Sequence, residues 1–245
     1  MAAELVGLKV DVIVTHGIPA ATATHAATQT VPIVVAVAPE LVATGLAASL
    51  ARPGGNVTGL TDQVIEFAEK EIQVLRDALP RLRRVSILWN KANPGAALTF
   101  EAARRAAEKA GLEVIAVGIV SREQIESGIA QAAQDRPDGL VVIHDTLTTG
   151  YRRQVAAAAL KYALPSICAS SPYVEAGGLI AYAPNLQSLF KRAAMFVDRI
   201  LRGARPADLP IEQPTKFELR INLNTAKALG ITIPPTLLAW ARPGD

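Results

Sequence analysis

Residues 83–117, RRVSILWNKANPGAALTFEAARRAAEKAGLEVIAV, limit the choice of fold more than any other stretch. Val85 to Trp89 is a short apolar run of β-formers, and Asn90-Lys91-Ala92-Asn93-Pro94-Gly95 breaks it with turn residues. Ala96 to Ala110 is Ala-rich with its charges on one face, and Gly111 follows as a C-cap. Strand, loop, helix and strand make a βαβ unit. In a parallel sheet the first loop of such a unit lies at the carboxyl edge, beside a helix N-terminus that favours an anion or a polar ligand head. Asn90 and Asn93 are therefore the first candidates for ligand contact, although Asn, Pro and Gly in this order also suit a plain turn.

The same rhythm runs through most of the chain. Before this unit come the strand 10–14, the loop Thr15-His16-Gly17-Ile18-Pro19, a helix 20–28, the strand 32–37, a helix 41–51 and the strand 56–61. A helix 64–79 stops at Pro80. After the unit come Ser121 as an N-cap, a helix 122–134, the strand 139–143, the loop His144-Asp145-Thr146 and a helix 151–162. The strand 165–169, a helical turn to Ala176 and the strand 179–182 complete the series. Alternating β and α elements predict an α/β fold of two Rossmann-like lobes with parallel sheets covered on both faces. The remainder departs from the pattern: an amphipathic helix 186–201, an extended 206–214 with three prolines, a strand 217–221 and a short helix 225–229. Adding that helix to the first lobe and that strand to the second makes the chain cross between lobes three times. The expected lobes are 1–62 plus 185–205 and 63–184 plus 210–235.

Composition excludes several function classes. A net charge of +3, with Lys and Arg scattered over helix faces, implies no nucleic acid. Cys168 is the only cysteine, so no internal disulfide and no multi-cysteine metal cluster is expected, and its strand setting reads as a buried apolar residue. His16, His25 and His144 lack metal-ligand spacing, and no GxGxxG follows a strand. No cofactor is expected. The longest apolar region, Val31 to Ala51, is interrupted by Pro32, Pro39, Glu40 and Gly45, which argues against a membrane span. Asn56-Val57-Thr58 fits a glycosylation triplet, but a strand after the Gly54-Gly55 turn explains it equally well. Met1 to Leu5 has no basic region or cleavage site of a signal peptide, and 2–8 reads as the end of a helix.

Five segments carry a family likeness: 50–59 (LARPGGNVTG), Asn93-Pro94-Gly95, 175–182 (EAGGLIAY), 203–219 (GARPADLPIEQPTKFEL) and 222–230 (NLNTAKALG). Spread nearly end to end, they resemble the ABC-transporter solute-binding proteins of the tryptophan/phenylalanine-binding group, within the type I periplasmic-binding-protein fold. The resemblance implies two hinged lobes around a cleft, a small organic solute, an ABC permease of the inner membrane as partner, and no enzymatic activity. It also implies an export signal, a first strand and a helix ahead of the position of Ala2. On that reading the full-length form is periplasmic or lipid-anchored outside the cytoplasm, the first lobe is incomplete here, and the protein is a monomer or weak dimer.

In such a fold the polar groups at the carboxyl ends of strands meet the ligand. They are His16 and Gly17, Ala38 and Pro39, Thr61 and Asp62, Asn90 and Asn93, His144 and Asp145, and Ser170 and Ser171, with Tyr182 near the hinge. An amino-acid ligand needs an acceptor for its ammonium, for which Asp145 is suited. It also needs donors for its carboxylate, for which Asn93, Ser170 and the N–H groups after Asn93 are suited. Asp145 equally suits an N-cap, His16 a hydrogen bond within its own turn, and Tyr182 and Trp89 core packing. The first lobe's loops offer no Arg or Lys fork, which argues against phosphate or sugar-acid ligands and for a neutral or zwitterionic solute with an apolar part, such as an aromatic or branched amino acid. Two other functions use the same architecture: the ligand-sensing domain of a transcription regulator or receptor, and a two-lobe enzyme such as a racemase. The latter chemistry would call for two opposed cysteines.

Overall fold

The structure is a computed structural model that describes residues 1–62, 64–214 and 217–241. The side chain of Asp62, one of the groups expected at a strand end, lies outside what it describes. The chain divides into two compact units, Met1–Val64 with Asn185–Thr215, and Ile65–Pro184 with Lys216–Asp245. Residues 210–214, expected in the second lobe, are part of the first unit.

In the first unit, α1 (Ala2–Gly7), β1 (Ile13–Thr15), α2 (Ile18–Ala27), β2 (Ile33–Pro39) and β3 (Val57–Asp62) follow one another. The strands form a parallel sheet in the order β1-β2-β3. Residues 33–38 of β2 are all buried, which is why the sequence IVVAVA shows no alternation. Ile33 and Val35 join Ile18, Ala21, Leu41, Leu46 and Val57 on one face. Val34 and Ala36 join Leu189, Ala193, Phe196 and Ile200 on the other. Each such fully buried aliphatic side chain contributes about 1.5–3 kcal/mol. Close pairing of β2 with β3 requires Gly59, at φ +132°, where a Cβ would fall 2.1 Å from the Val35 carbonyl oxygen. Asn56 is buried, its amide donating to the Thr28 and Val31 carbonyls, so the glycosylation triplet is part of the strand's anchoring.

The expected helix 41–51 is a chain of turns instead. Glu40 at φ 50° and Gly45 at φ 76° interrupt right-handed helix at both ends of the first turn, and the Thr44 hydroxyl bonds back to the Glu40 and Leu41 carbonyls. The apolar residues Leu41, Leu46 and Ala47 still reach the core. Residues 206–214 are not wholly extended either: Pro206–Asp208 form a 3₁₀ turn, with proline at its first position. This segment is held to β3 by Thr58 Oγ1 donating to Leu209 O at 2.7 Å, Glu212 N to Gly59 O and Thr61 N to Glu212 O at 2.9 Å each.

The second unit runs α3 (Val64–Ala78), β4 (Arg84–Asn90), α4 (Pro94–Lys109), β5 (Glu113–Ile119), α5 (Glu123–Gln134), β6 (Gly139–Val142), α6 (Thr146–Gly150), α7 (Arg152–Lys161), β7 (Ser166–Cys168), α8 (Ser171–Glu175) and β8 (Ile180–Pro184). The chain then supplies α9 (Leu186–Leu201) to the first unit and returns with β9 (Phe217–Ile221), α10 (Leu223–Ala228) and α11 (Pro235–Trp240), the last of which the sequence did not suggest. The sheet order is β5-β4-β6-β7-β8-β9, parallel except for β9, which runs antiparallel to β8. The helix expected at 151–162 forms as α7, and a cap at Asp145 starts a further short helix, α6, ahead of it. Ser121 gives way to Arg122 as the N-cap of α5. No described helix is long and apolar enough to cross a membrane.

Glu71, on α3, is 3% exposed and its Oε1 has no hydrogen-bond partner. Burial pushes its carboxyl well above the ordinary 4.5, so folding favours the protonated form. Its contribution to stability is complete below about pH 4.5 and is lost as pH rises through the higher folded value. Glu71→Gln, which cannot ionise, is expected to gain stability over the native chain progressively as pH is raised from 4.5. Urea unfolding across pH 4 to 8 measures this, and a difference that shrinks with pH refutes it.

Candidate functional site

In the second unit β4 lies between β5 and β6, so the connections from β4 and β6 leave the sheet in opposite senses. Loops that diverge at the carboxyl edge make a crevice there, the usual ligand position in an open α/β sheet. Three of the sequence-chosen residues come together at this point. Asn90 ends β4, Asn93 is the N-cap of α4 and Asp145 the N-cap of α6, and they are 9%, 8% and 6% exposed.

The Asp145 carboxylate joins them. Its Oδ1 accepts from the N–H groups of Leu147 at 2.7 Å and Thr148 at 3.2 Å, while Thr148 Oγ1 accepts from Asp145 N at 3.0 Å, which completes a capping box. Its Oδ2 accepts from Asn93 Nδ2 at 2.8 Å and Asn90 Nδ2 at 3.1 Å. Each asparagine oxygen in turn accepts a backbone N–H at 3.0 Å, Asn90 Oδ1 from Ala92 and Asn93 Oδ1 from Gly95. Those bonds fix the orientation of both amides, and each amide keeps one N–H not used on Asp145. Asp145 thus caps a helix, and the four protein N–H groups it accepts fill the carboxylate's ordinary capacity. The expected role as an ammonium acceptor has no lone pair left to it.

Ser170 follows β7, the strand next to β6, as the N-cap of α8. It is 2% exposed and its hydroxyl has no hydrogen-bond partner, in contrast to Ser166 of β7, which accepts from Tyr173 Oη at 2.7 Å. Cys168 is buried and burial pushes its thiol well above the ordinary range, so it is no nucleophile. Tyr182 sits on β8 in a cluster with Phe67 and Phe217, ring centroids 5.4 and 5.6 Å away, and its ring is engaged in packing. Trp89 stacks on Phe100 at 4.5 Å, again a packing role. No three His, Cys, Asp or Glu side chains among the described residues are grouped to hold a metal.

The first unit has its own carboxyl edge. Gly17, at φ 77°, is the N-cap of α2 and donates its N–H to Val37 O at 2.9 Å. His16 stacks on Phe190 of α9 at 5.9 Å with the rings 12° from parallel, and burial lowers its pKa, so the imidazole is neutral at pH 7. Thr61 is 2% exposed; its hydroxyl donates to Ala38 O at 2.9 Å and accepts from Leu41 N at 3.3 Å, so it ties the loop after β2 to β3. Phe190, on α9, is 48% exposed beside His16.

With this geometry in view, the family profile described as ABC transporter substrate binding protein matches residues 1–243. The chain belongs to that family. Its members are binding proteins and not enzymes, and the fold is that of the type I periplasmic binding proteins. A tyrosine-binding protein of Clostridioides difficile (strain R20291) is 26% identical over 229 residues, 94% of this chain; the chain spans 66% of that relative's length. A Streptococcus pneumoniae ABC domain solved in complex with L-Trp is 27% identical, with a TM-score of 0.93 over 98% of this chain and 81% of that one. A ligand-free, open substrate-binding protein with adhesive properties from Clostridium difficile is 27% identical, with a TM-score of 0.69 over 96% and 78%.

Within this substrate-binding fold Thr61 has a structural task. Thr61→Val is expected to lower stability by about 1–3 kcal/mol, through two unsatisfied buried backbone groups, with little effect on ligand affinity. Urea unfolding together with calorimetric titration checks both halves of that expectation.

Proposed function

We infer that this chain is the solute-receiving component of an ABC importer and that its solute is an amino acid with an aromatic side chain. The observation that carries the reading is the donor-rich edge of the second unit. Asn90 and Asn93 each keep one N–H there beside the N-terminus of the sixteen-residue α4, and the buried unpartnered hydroxyl of Ser170 lies along the same edge, after β7. Neutral donors and a helix N-terminus suit a carboxylate. The aromatic side chain is supported by two relatives, one called tyrosine-binding and one solved with L-Trp.

The partners follow from the family: a small solute, and a permease in the membrane that takes it over. The working place of such a receptor is outside the cytoplasm. Family membership favours this over the regulator or racemase readings.

Calorimetric titration and thermal unfolding with L-tryptophan, L-tyrosine, L-phenylalanine, L-leucine and D-ribose test the solute class. An aromatic amino acid at 100 times its Kd is expected to raise stability by about 2.7 kcal/mol, with L-leucine weaker and D-ribose without effect. Saturable binding of D-ribose alone, or no response to any aromatic amino acid, overturns the reading.

A further inference from the structure

We propose that Asp145 is a positioning residue for solute binding: it makes no contact with the solute, and it holds the Asn90 and Asn93 amides so that their second N–H groups grip the solute's carboxylate. The proposal rests on the amino-acid reading above and assigns which end of the solute the second unit takes and how.

Three observations converge. First, the Asp145 oxygens accept four protein N–H groups at 2.7 to 3.2 Å, so a solute ammonium would have to displace one of them. Displacing a backbone donor would uncap α6, and displacing an amide would free an asparagine to rotate. Second, each asparagine is fixed at both ends, its oxygen by a backbone N–H and its nitrogen by Asp145 Oδ2. A planar amide so held has its other N–H aimed in one direction, at a group that accepts. Third, all three side chains are at least nine-tenths buried, and at the same sheet edge Ser170, which follows β7, has a buried hydroxyl without a partner. Two unused amide N–H groups at the end of β4 form a set of donors for one acceptor. A carboxylate supplies that acceptor, with lone pairs for all of them.

The experiment separates the two ends of the solute. Affinities of the native chain and of Asp145→Asn are measured by calorimetry for L-tryptophan, for 3-(indol-3-yl)propionate, which lacks the ammonium, and for tryptamine, which lacks the carboxylate. Asp145→Asn is expected to weaken L-tryptophan and indolepropionate by the same factor, about tenfold or more, and to leave tryptamine unchanged. If L-tryptophan and tryptamine weaken while indolepropionate does not, Asp145 binds the ammonium and the proposal falls. Equal weakening of all three shows general disruption of the edge and also overturns it. In an Asn90→Ala/Asn93→Ala background, Asp145→Asn is expected to cause no further loss, because the residue acts through those amides; an additive loss contradicts the assignment.

A measurement without solute keeps the assignment testable if the solute class is wrong or the variant is unstable. In the ligand-free chain one hydrogen of each Asn90 and Asn93 side-chain amide is expected to exchange slowly in ¹⁵N-resolved NMR. Thr148→Val, which leaves Asp145 Oδ2 in place, retains that protection, and Asp145→Asn loses it. Fast exchange of both amides in the native chain refutes the positioning role, whatever the solute proves to be.

Discussion

Much of the second unit turns on one requirement: a carboxylate removed from water must be surrounded by donors. An isolated ion in the interior costs several kcal/mol, so a buried aspartate persists only where the fold delivers N–H groups to it. Asp145 receives them from three places, the end of β4, the cap of α4 and the first turn of α6. These can meet only because β4 and β6 are neighbours while their connections run apart. The register pairs Leu88 with Val142 and puts Asn90 two residues beyond, within reach of the loop that carries Asp145. The carboxylate is in that sense a lock on the sheet order, and removing any of its partners would leave it with fewer donors than its burial calls for.

How the elements arise from sequence differs between the units. The βαβ stretch at 83–117 was legible because its strand, turn and helix each have the chemistry of their own element, and β4 and α4 form where periodicity puts them. The strand at 217–221 and the helix at 186–201 likewise match their patterns. Residues 41–51 have the composition of a helix and do not form one, since two residues with positive φ stop propagation, a property of backbone conformation that hydrophobic spacing does not report. The early start of α6 was hidden for a related reason: Asp145-Thr146-Leu147-Thr148 is a capping box made with threonine in place of glutamate, and a short apolar-poor turn after it gives no periodicity. At the site, the choice of loops followed from strand ends alone. That Asn90 and Asn93 bond to Asp145, more than fifty residues on, depends on which strands are adjacent, and sequence spacing does not contain that fact.

The third portion of the chain completes each unit by a different means. α9 covers one face of the first unit's sheet through Leu189, Ala193, Phe196 and Ile200, and the segment after it is tied in by backbone bonds and by Arg192 gripping Glu212 with two hydrogen bonds of 2.5 and 2.6 Å. Ile211 then packs with Ile33, Val57 and Leu41, so a Pro-rich stretch that looks like linker is part of a core. β9 instead adds an antiparallel strand to β8, with Phe217 joining Phe67 and Tyr182. Prolines at 206, 210 and 214 suit this role, because they restrict a connection whose route is already fixed by its hydrogen bonds and so lose little entropy on folding.

Among the described residues the side-chain donors bonded to Asp145 are amides, with no guanidinium. A guanidinium would hold a carboxylate through charge, whereas two amides, as proposed above, would hold it through direction. Direction is useful only if it is set in advance. Ordering a free polar side chain on binding costs about 0.5–1.5 kcal/mol, so two asparagines already fixed by Asp145 and by backbone N–H groups save about 1–3 kcal/mol, roughly a fivefold to 150-fold gain in affinity without any added contact. A receptor that must release its solute to a transporter gains selectivity in this way while its grip remains one of neutral hydrogen bonds. On the assignment proposed above, the buried carboxylate behind them is what makes weak donors specific.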